Sequence, residues 1–225
     1  DIDDIVTIKA EQSTGAYWST RSMLQILKLE DDTMPKGLTR DYPKYSVRSF
    51  SLDVARKPVS METLNSIAKE MAYYKMNDFQ VHLNDNLIFY EDYGSVETAM
   101  EKAYTGFRLE SDIKKGQVIE GDSKGVANAA DLTSTDLSYS KKEFREFILD
   151  SREMGVNIVP EFDAPGHSGA FMDVRPDLHL KKTVEGNAAR AGEQFDLSDE
   201  HYADSSNFVK KLWDEYLTED MFDSS

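Results

Sequence analysis

The sequence predicts an α/β protein whose strands lie parallel in one sheet. The prediction rests on short runs rich in β-branched and aromatic residues, and on apolar residues at helical spacing between those runs. Because consecutive parallel strands need a long crossover, which is usually a helix, the alternation of strand and helix favours parallel pairing.

The first part of the chain is expected to be the end of a small α+β domain, over residues 1–34. Residues 5–10 are rich in β-branched side chains and are predicted to form a strand, and a helix follows them. Residues 35–44 are polar and broken by proline and glycine, which is typical of a linker. Residues 45–225 are then the main domain.

Three strands are predicted in the main domain, over residues 47–54, 79–83 and 156–162. A helix between the first two begins after Ser60, whose hydroxyl suits an N-cap. A second helix begins at residues 140–143, where Ser and Glu form the pattern of a capping box. Each strand is therefore expected to be joined to the next through a helix.

A long irregular insertion, residues 87–137, separates the second strand from its helix, and a last helix is predicted over residues 202–217. No glycine-rich phosphate loop follows a strand, which weakens a nucleotide-binding interpretation. Periodicity alone leaves two architectures open, an open doubly wound sheet and a (β/α) barrel.

The composition excludes several classes of partner and site. Asp and Glu number 42 against 26 Lys and Arg, a formal net charge of −16, so neither nucleic acid nor an anionic membrane is an expected partner. No apolar run approaches the ~20 residues that a bilayer span needs, and no membrane insertion is expected. The chain has no cysteine, which excludes disulfides, thiolate metal ligands and cysteine nucleophiles.

Polar residues cluster where the second and third predicted strands end. His82 and Asp85 lie at the end of the second strand, and Asp163 and His167 follow the third. An imidazole beside a carboxylate can fix a tautomer, relay a proton or tune a nearby acid. The same four residues are acceptable metal ligands, so a metal-dependent hydrolase is an alternative, although the sequence lacks His-x-His and His-Glu-x-x-His. No metal or cofactor is predicted.

Arg48 is a further candidate, because it lies within the first predicted strand. A guanidinium that faces the interior there needs a partner. A bound sugar can provide one, since vicinal hydroxyls suit a bidentate arginine. A surface arginine on the strand is the alternative.

Three ordered motifs carry a resemblance to a known family. Residues 45–58 read YSVRSFSLDVARKP, residues 71–85 read MAYYKMNDFQVHLND, and residues 159–167 read VPEFDAPGH. Together they resemble glycoside hydrolase family 20, the β-N-acetylhexosaminidases. Residues 15–27 also look like the helix that ends the small α+β domain before the barrel in that family.

The resemblance implies a (β/α)8 TIM barrel, of which this chain holds the first strands and helices. It also implies substrate-assisted retaining hydrolysis, in which the 2-acetamido carbonyl of the sugar attacks the anomeric carbon. A Glu then protonates the leaving oxygen, and an adjacent Asp orients the acetamido group and stabilises its charge.

The resemblance also implies roles for single residues. Arg48 is expected to grip hydroxyls of the terminal sugar, Asp85 and His167 to form a relay that supports the acid, and Asp163 to order the adjoining loop. His82 and Glu161 are secondary candidates at the same strand ends.

Further positions qualify these roles. Asp53 and Arg56 are expected to be a structural pair beneath the site. The second motif carries Asn84 before Asp85 and lacks two consecutive acids, as in bacterial surface exo-N-acetylglucosaminidases and lacto-N-biosidases. The insertion, residues 87–137, is expected at the barrel mouth, where it would shape selectivity.

The Asp-Glu pair of the family is not found after a predicted strand. The pairs Glu30-Asp31, Asp199-Glu200 and Asp214-Glu215 are predicted to lie in a linker, a loop and a helix. The catalytic pair is therefore expected beyond Ser225, and this chain alone is expected to be inactive.

The expected partner is an N-acetylhexosamine-containing oligosaccharide or glycoconjugate, degraded outside or at the surface of a bacterial cell. An incomplete barrel exposes strand edges, so self-association or a complementing segment is expected. A non-catalytic sugar-binding half-barrel is a second alternative.

Overall fold

A computed structural model of the chain describes residues 5–85, 106–114, 131–134, 137–180 and 194–222. The strands are β1 (Ser49–Asp53), β2 (Asp78–His82) and β3 (Asn157–Glu161). The helices are α1 (Ser13–Leu29), α2 (Met61–Tyr73), α3 (Lys141–Glu153), α4 (Gly169–Val174), α5 (Tyr202–Tyr216) and α6 (Glu219–Phe222), with a 3₁₀ turn at Pro176–Leu178.

The three strands form one parallel sheet in the order β1-β2-β3. Each crossover thus steps to the next strand in the same direction, as in a barrel, whereas a doubly wound sheet reverses its direction. The register places Asp53, His82 and Glu161, the last residues of the three strands, side by side. The predicted parallel α/β architecture is confirmed for the described residues.

The two large helices begin where the sequence predicts. The Ser60 hydroxyl accepts a hydrogen bond from the Thr63 amide at 3.2 Å and caps α2. At the start of α3, the Ser140 hydroxyl accepts from the Glu143 amide at 3.1 Å, and the Glu143 carboxylate accepts from the Ser140 amide at 2.9 Å. After α3, Gly155 has φ +75°, a conformation that favours glycine.

The core lies between the sheet and the helices that flank it. Phe79 on β2 is fully buried and meets Phe147 of α3 edge-on, with ring centroids 6.0 Å apart. The insertion contributes to the same core, since Phe107 is fully buried and its ring centroid lies 5.3 Å from that of Phe162. The described parts of the insertion therefore do more than line an opening: they complete the packing.

The leading segment differs from its prediction. Residues 5–10 are exposed and form no strand, so that prediction is wrong. A strand needs a partner as well as β-propensity, and none pairs with this run among the described residues. The predicted helix is confirmed as α1, and Gln25 Nε2 on it donates to the Tyr73 carbonyl at 2.7 Å. The division into residues 1–34, 35–44 and 45–225 stays a prediction.

Candidate active site

Asp85 is the centre of a polar cluster at the carboxyl edge of the sheet. Its side chain is only 2% exposed. Oδ1 accepts from Arg56 Nη2 at 2.7 Å and lies 2.7 Å from His167 Nδ1, and Oδ2 lies 2.5 Å from His82 Nε2. One buried carboxylate thus joins side chains that follow β1, β2 and β3.

His82, the last residue of β2, bridges two carboxylates. Its Nδ1 lies 3.2 Å from Glu161 Oε1, while Nε2 faces Asp85. Burial by itself lowers the pKa of His82, but the hydrogen bonds to Asp85 and Glu161 outweigh it and raise the pKa to about 9. The ring is therefore an imidazolium at neutral pH and donates in both directions.

A second carboxyl group lies beyond Glu161. Burial raises the pKa of Asp163, and a hydrogen bond to Glu161, with the negative charge of that residue, raises it further. Glu161 also accepts from Gln80 Nε2 at 2.6 Å. The raised pKa of Asp163 therefore favours its protonated form beside Glu161.

The loop after β3 is fixed by Asn84, which the sequence argument noted only as a departure from the family pattern. Asn84 is fully buried. Its Nδ2 donates to the carbonyls of Asp163 at 3.0 Å and His167 at 2.9 Å, and its Oδ1 accepts from the Asp163 amide at 2.9 Å. The amide of Asn84 thus orders this loop through the Asp163 backbone.

His167 presents its ring to Asp85 on one side and to solvent on the other. Its backbone has φ +55°, and its side chain is 54% exposed although Nδ1 lies at hydrogen-bond distance from the carboxylate. An imidazole oriented by a buried carboxylate, with its opposite edge accessible, has the geometry of a proton relay.

Arg56 joins this cluster, and its expected place beneath the site is corrected. Nη1 donates to Asp53 Oδ2 at 2.9 Å and Nη2 to Asp85, and the Arg56 side chain is 28% exposed. Asp53 Oδ1 accepts from the amides of Ala55 and Arg56, which shapes the turn after β1. The expected Asp53–Arg56 pair is present, but at the carboxyl edge beside Asp85.

Arg48 does not reach the cluster. It precedes β1, a strand of five residues, so roughly 15 Å of strand separates it from Asp53. Its Nε donates to the Lys75 carbonyl at 2.6 Å, its Nη1 to the Tyr45 carbonyl at 2.7 Å, and its guanidinium carbon lies 4.8 Å from the Trp18 ring centroid. The structure thus places Arg48 at the amino end of the sheet, against α1.

The cluster also bears on the metal-site alternative. Two groups place one ligand atom of each side chain within 4.8 Å of one another: Asp53 with His82 and Asp85, and His82 with Glu161 and Asp163. Both require His82, whose raised pKa and two carboxylate partners favour the protonated ring, and an imidazolium has no lone pair for a metal. The donor chemistry therefore fits a proton network better than a metal.

The family to which the chain belongs is consistent with a polar cluster at this edge of the sheet. The model of the glycosyl hydrolase family 20 catalytic domain matches residues 45–224. The chain belongs to glycoside hydrolase family 20. The matched residues include all three strands and the whole polar cluster.

Individual relatives of family 20 are distant and longer. A β-hexosaminidase of Vibrio furnissii is 25% identical over 76% of this chain and 26% of its own length. A lacto-N-biosidase of Bifidobacterium bifidum is 21% identical over 90% of this chain and 14% of its own. The chain thus spans about a quarter or less of the length of these relatives.

Solved structures show the same fold. A family 20 β-N-acetylglucosaminidase superposes with a TM-score of 0.64 at 20% identity, over 93% of this chain and 41% of the other. The chitobiase of Flavobacterium johnsoniae superposes with a TM-score of 0.59 at 25% identity, over 89% of this chain and 26% of the other. Among the described residues of this chain, each helix is too short or too polar to span a bilayer.

Proposed function

We propose that this chain carries the first part of the active site of a β-N-acetylhexosaminidase-type glycosidase. The reaction is removal of a terminal β-linked N-acetylhexosamine, or of a lacto-N-biose unit, by substrate-assisted retention. The observation that carries the proposal is the buried carboxylate of Asp85, which joins Arg56, His82 and His167 at the carboxyl edge of a family 20 sheet.

In this proposal Asp85 and His167 form the relay behind the general acid. The buried carboxylate orients the imidazole, and the exposed edge of His167 faces the space where the acid approaches. A relay of this kind stabilises the charge that moves during protonation of the leaving oxygen.

Arg56 replaces Arg48 as the proposed contact to sugar hydroxyls. Its guanidinium is held by Asp53 and Asp85 and is partly exposed at the carboxyl edge, and its buried Nε has no hydrogen-bond partner. Held on both sides, the group is oriented before substrate arrives, which limits the entropy lost on binding.

The three strands are proposed to be the first of a (β/α)8 barrel. In this sequence Asp199-Glu200 lies in a turn and Asp214-Glu215 within α5, so neither pair follows a strand. The general acid and the orienting aspartate are then supplied by the rest of the barrel, and this chain alone does not hydrolyse its substrate.

The proposed substrate is an N-acetylhexosamine-containing oligosaccharide or glycoconjugate. A Vibrio harveyi exo-β-N-acetylglucosaminidase with a TM-score of 0.55 was solved in complex with N-acetylglucosamine. We place the reaction outside a bacterial cell or at its surface. Among the described strands β1 and β3 are the outer two, and we propose that their edges offer backbone groups to a second copy or to a complementing segment.

Sugar binding to the chain tests this function directly. N-acetylglucosamine is titrated by calorimetry into the wild type, Arg56→Ala and Asp85→Asn, and a chromogenic N-acetylglucosaminide tests turnover. Binding that both substitutions abolish, without turnover, is expected. Equal binding by all three proteins would refute the proposal, and turnover that depends on a stoichiometric divalent metal would support a metal-dependent hydrolase instead.

A further inference from the structure

Arg108 lies in the insertion, and its side chain is fully buried. Its guanidinium forms hydrogen bonds with the turn after β1. Its Nε donates to the Val54 carbonyl at 2.9 Å and its Nη2 to the Ala55 carbonyl at 2.7 Å. These two carbonyls belong to the residues directly before Arg56. The side chain of Arg108 therefore fixes the backbone from which Arg56 extends.

Arg56 forms an ion pair with Asp85, and the backbone of Arg108 fixes the segment that carries Asp85. Its amide donates to the Leu83 carbonyl at 3.1 Å, and its carbonyl accepts from the Tyr139 amide at 2.7 Å. Leu83 lies two residues before Asp85. One residue of the insertion thus holds both the turn that carries Arg56 and the segment that carries Asp85.

The chemistry of the guanidinium suits this task. A buried cation is costly unless it is hydrogen-bonded, and Arg108 also donates from Nη1 to the Leu137 carbonyl at 3.0 Å. The three carbonyls fix the orientation of the planar guanidinium. A lysine ammonium is a compact point charge and would not be oriented in this way.

Because Gly106 has no side chain, it leaves space for the guanidinium of Arg108. A Cβ at this position would lie 2.7 Å from Arg108 Cζ and 2.9 Å from Ser134 Oγ, distances that real Cβ contacts do not show. A side chain at position 106 therefore displaces the guanidinium while leaving each of its donors in the protein.

We propose that Arg108 is a positioning residue that holds the Val54–Ala55 turn against Leu83, so that Arg56 meets Asp85 at 2.7 Å. It does not touch the substrate and acts through Arg56. The inference rests on the proposed function in one respect: the Arg56–Asp85 pair is the part of the cluster expected to meet the sugar.

The test uses Arg108→Lys and Gly106→Ala, with two matched controls. Arg175 is also buried, at 2% exposed, but pairs with Asp177, which is not a member of the polar cluster, so Arg175→Lys is the control for a buried arginine. A Cβ on Gly15 meets only the Ala10 Cβ, at an ordinary 3.4 Å, so Gly15→Ala is the control for an added methyl group.

Two measurements are made on each folded protein. The first is the NMR spectrum of the Arg56 guanidinium, in which ion pairing on two sides keeps the terminal nitrogen signals distinct. The second is the affinity for N-acetylglucosamine. Both test variants are expected to average the Arg56 signals and to weaken binding about tenfold, the equivalent of ~1.4 kcal/mol. The controls are expected to leave both measurements unchanged.

A double substitution separates positioning from general stability. In an Arg56→Lys background, which is expected to keep measurable affinity, Arg108→Lys is expected to cause no further loss, because its effect passes through Arg56. If Arg108→Lys fails to fold, Gly106→Ala, which keeps every donor, decides the question.

Distinct Arg56 signals in a folded test variant would overturn the proposal, as would a second full loss of affinity in the double variant. The NMR measurement does not depend on sugar. If the wild type does not bind N-acetylglucosamine, the proposed function fails, and the state of the Arg56 signals still decides the role of Arg108.

Discussion

Arg48 and Arg56 lie at opposite ends of β1, and their side chains make different kinds of contact. Arg48, at the amino end of β1, donates to backbone carbonyls and lies over the ring of Trp18. Arg56, at the carboxyl end, holds the carboxylates of Asp53 and Asp85. The first set of contacts docks a helix on the sheet, and the second orients charged groups at its carboxyl edge.

The surroundings of the two arginines explain the difference. Near Arg48, the ion pair between Lys75 and Asp41 at 2.6 Å lies at the surface, with the Asp41 side chain 48% exposed. Near Arg56, Asp85 is almost fully buried. Water screens the Lys75–Asp41 pair more than the Arg56–Asp85 pair, because Asp41 is far more exposed than Asp85. The ion pair at the carboxyl end is therefore expected to contribute more to stability.

Removing the buried charge is expected to have the largest effect. Asp85→Asn leaves Arg56 and the His82 imidazolium without their common anion, and we expect the free energy of unfolding to fall by about 3 kcal/mol in urea denaturation. The control is Asp131→Asn, since Asp131 pairs with Lys114 at the surface, where both side chains are more than half exposed. That change is expected to cost less than ~0.5 kcal/mol. Equal losses would remove the contrast between buried and exposed charge.

The proton on His82 is expected to make stability depend on pH. Folding raises the pKa of His82 from 6.5 to about 9, so the folded state binds this proton more tightly. The stabilisation is complete below pH 6.5 and is lost as the pH rises towards 9, by on the order of 2 kcal/mol. Unfolding measured across this range should show the loss in the wild type but not in His82→Gln. Parallel curves for the two proteins would contradict the bridging role of His82.

Substitution of each arginine by lysine sharpens the comparison itself. Arg56→Lys is expected to lower the affinity for N-acetylglucosamine about tenfold, because the planar contact to two carboxylates is lost. Arg48→Lys is expected to leave the affinity unchanged and to lower the free energy of unfolding by about 1 kcal/mol, since carbonyl contacts and the Trp18 contact weaken. Calorimetry and urea denaturation measure the two effects. A reversed pattern would restore Arg48 to the site.

The smallest expected effect concerns the docking of α1. Gly155 has φ +75°, and a Cβ there would lie 3.0 Å from Thr14 Cγ2 and 3.1 Å from Trp18 Nε1. Gly155→Ala is therefore expected to destabilise the protein by about 1 kcal/mol. Gly15→Ala, in the open part of α1, should be neutral or slightly stabilising. A neutral Gly155→Ala would show that α1 does not depend on this contact.

Much of the fold could be predicted because its determinants are local. The capping residues Ser60 and Ser140 and the apolar faces behind them specify where two helices begin. Residues 5–10 show the limit of prediction from local sequence. Their composition favours a strand, but it does not reveal whether another strand is available to pair with them.

The site was predicted in part for a similar reason. The sequence placed His82, Asp85 and His167 correctly because residues after parallel strands share one edge. Arg48 differs, because the predicted strand 47–54 already put it near the amino end and its role at the site came from the family resemblance; in the structure β1 begins after it.

Arg108 was missed because its importance depends on contacts far along the chain. The sequence even points the other way, since alternation along Phe107-Arg108-Leu109 predicts that the arginine faces away from its two apolar neighbours. Only the fold reveals that its acceptors are Val54 and Ala55.

The register aligns Asp53, His82 and Glu161 at one edge of the sheet. Because the pKa of His82 rises when this edge forms, assembly of the sheet is coupled to the binding of a proton by His82. His82 has Asp85 close behind it in the chain, and it gains its second carboxylate, Glu161, only when β3 pairs with β2. During synthesis β3 emerges last of the three, so its arrival draws a proton from the medium. This edge of the sheet would therefore form less readily as the pH rises towards 9.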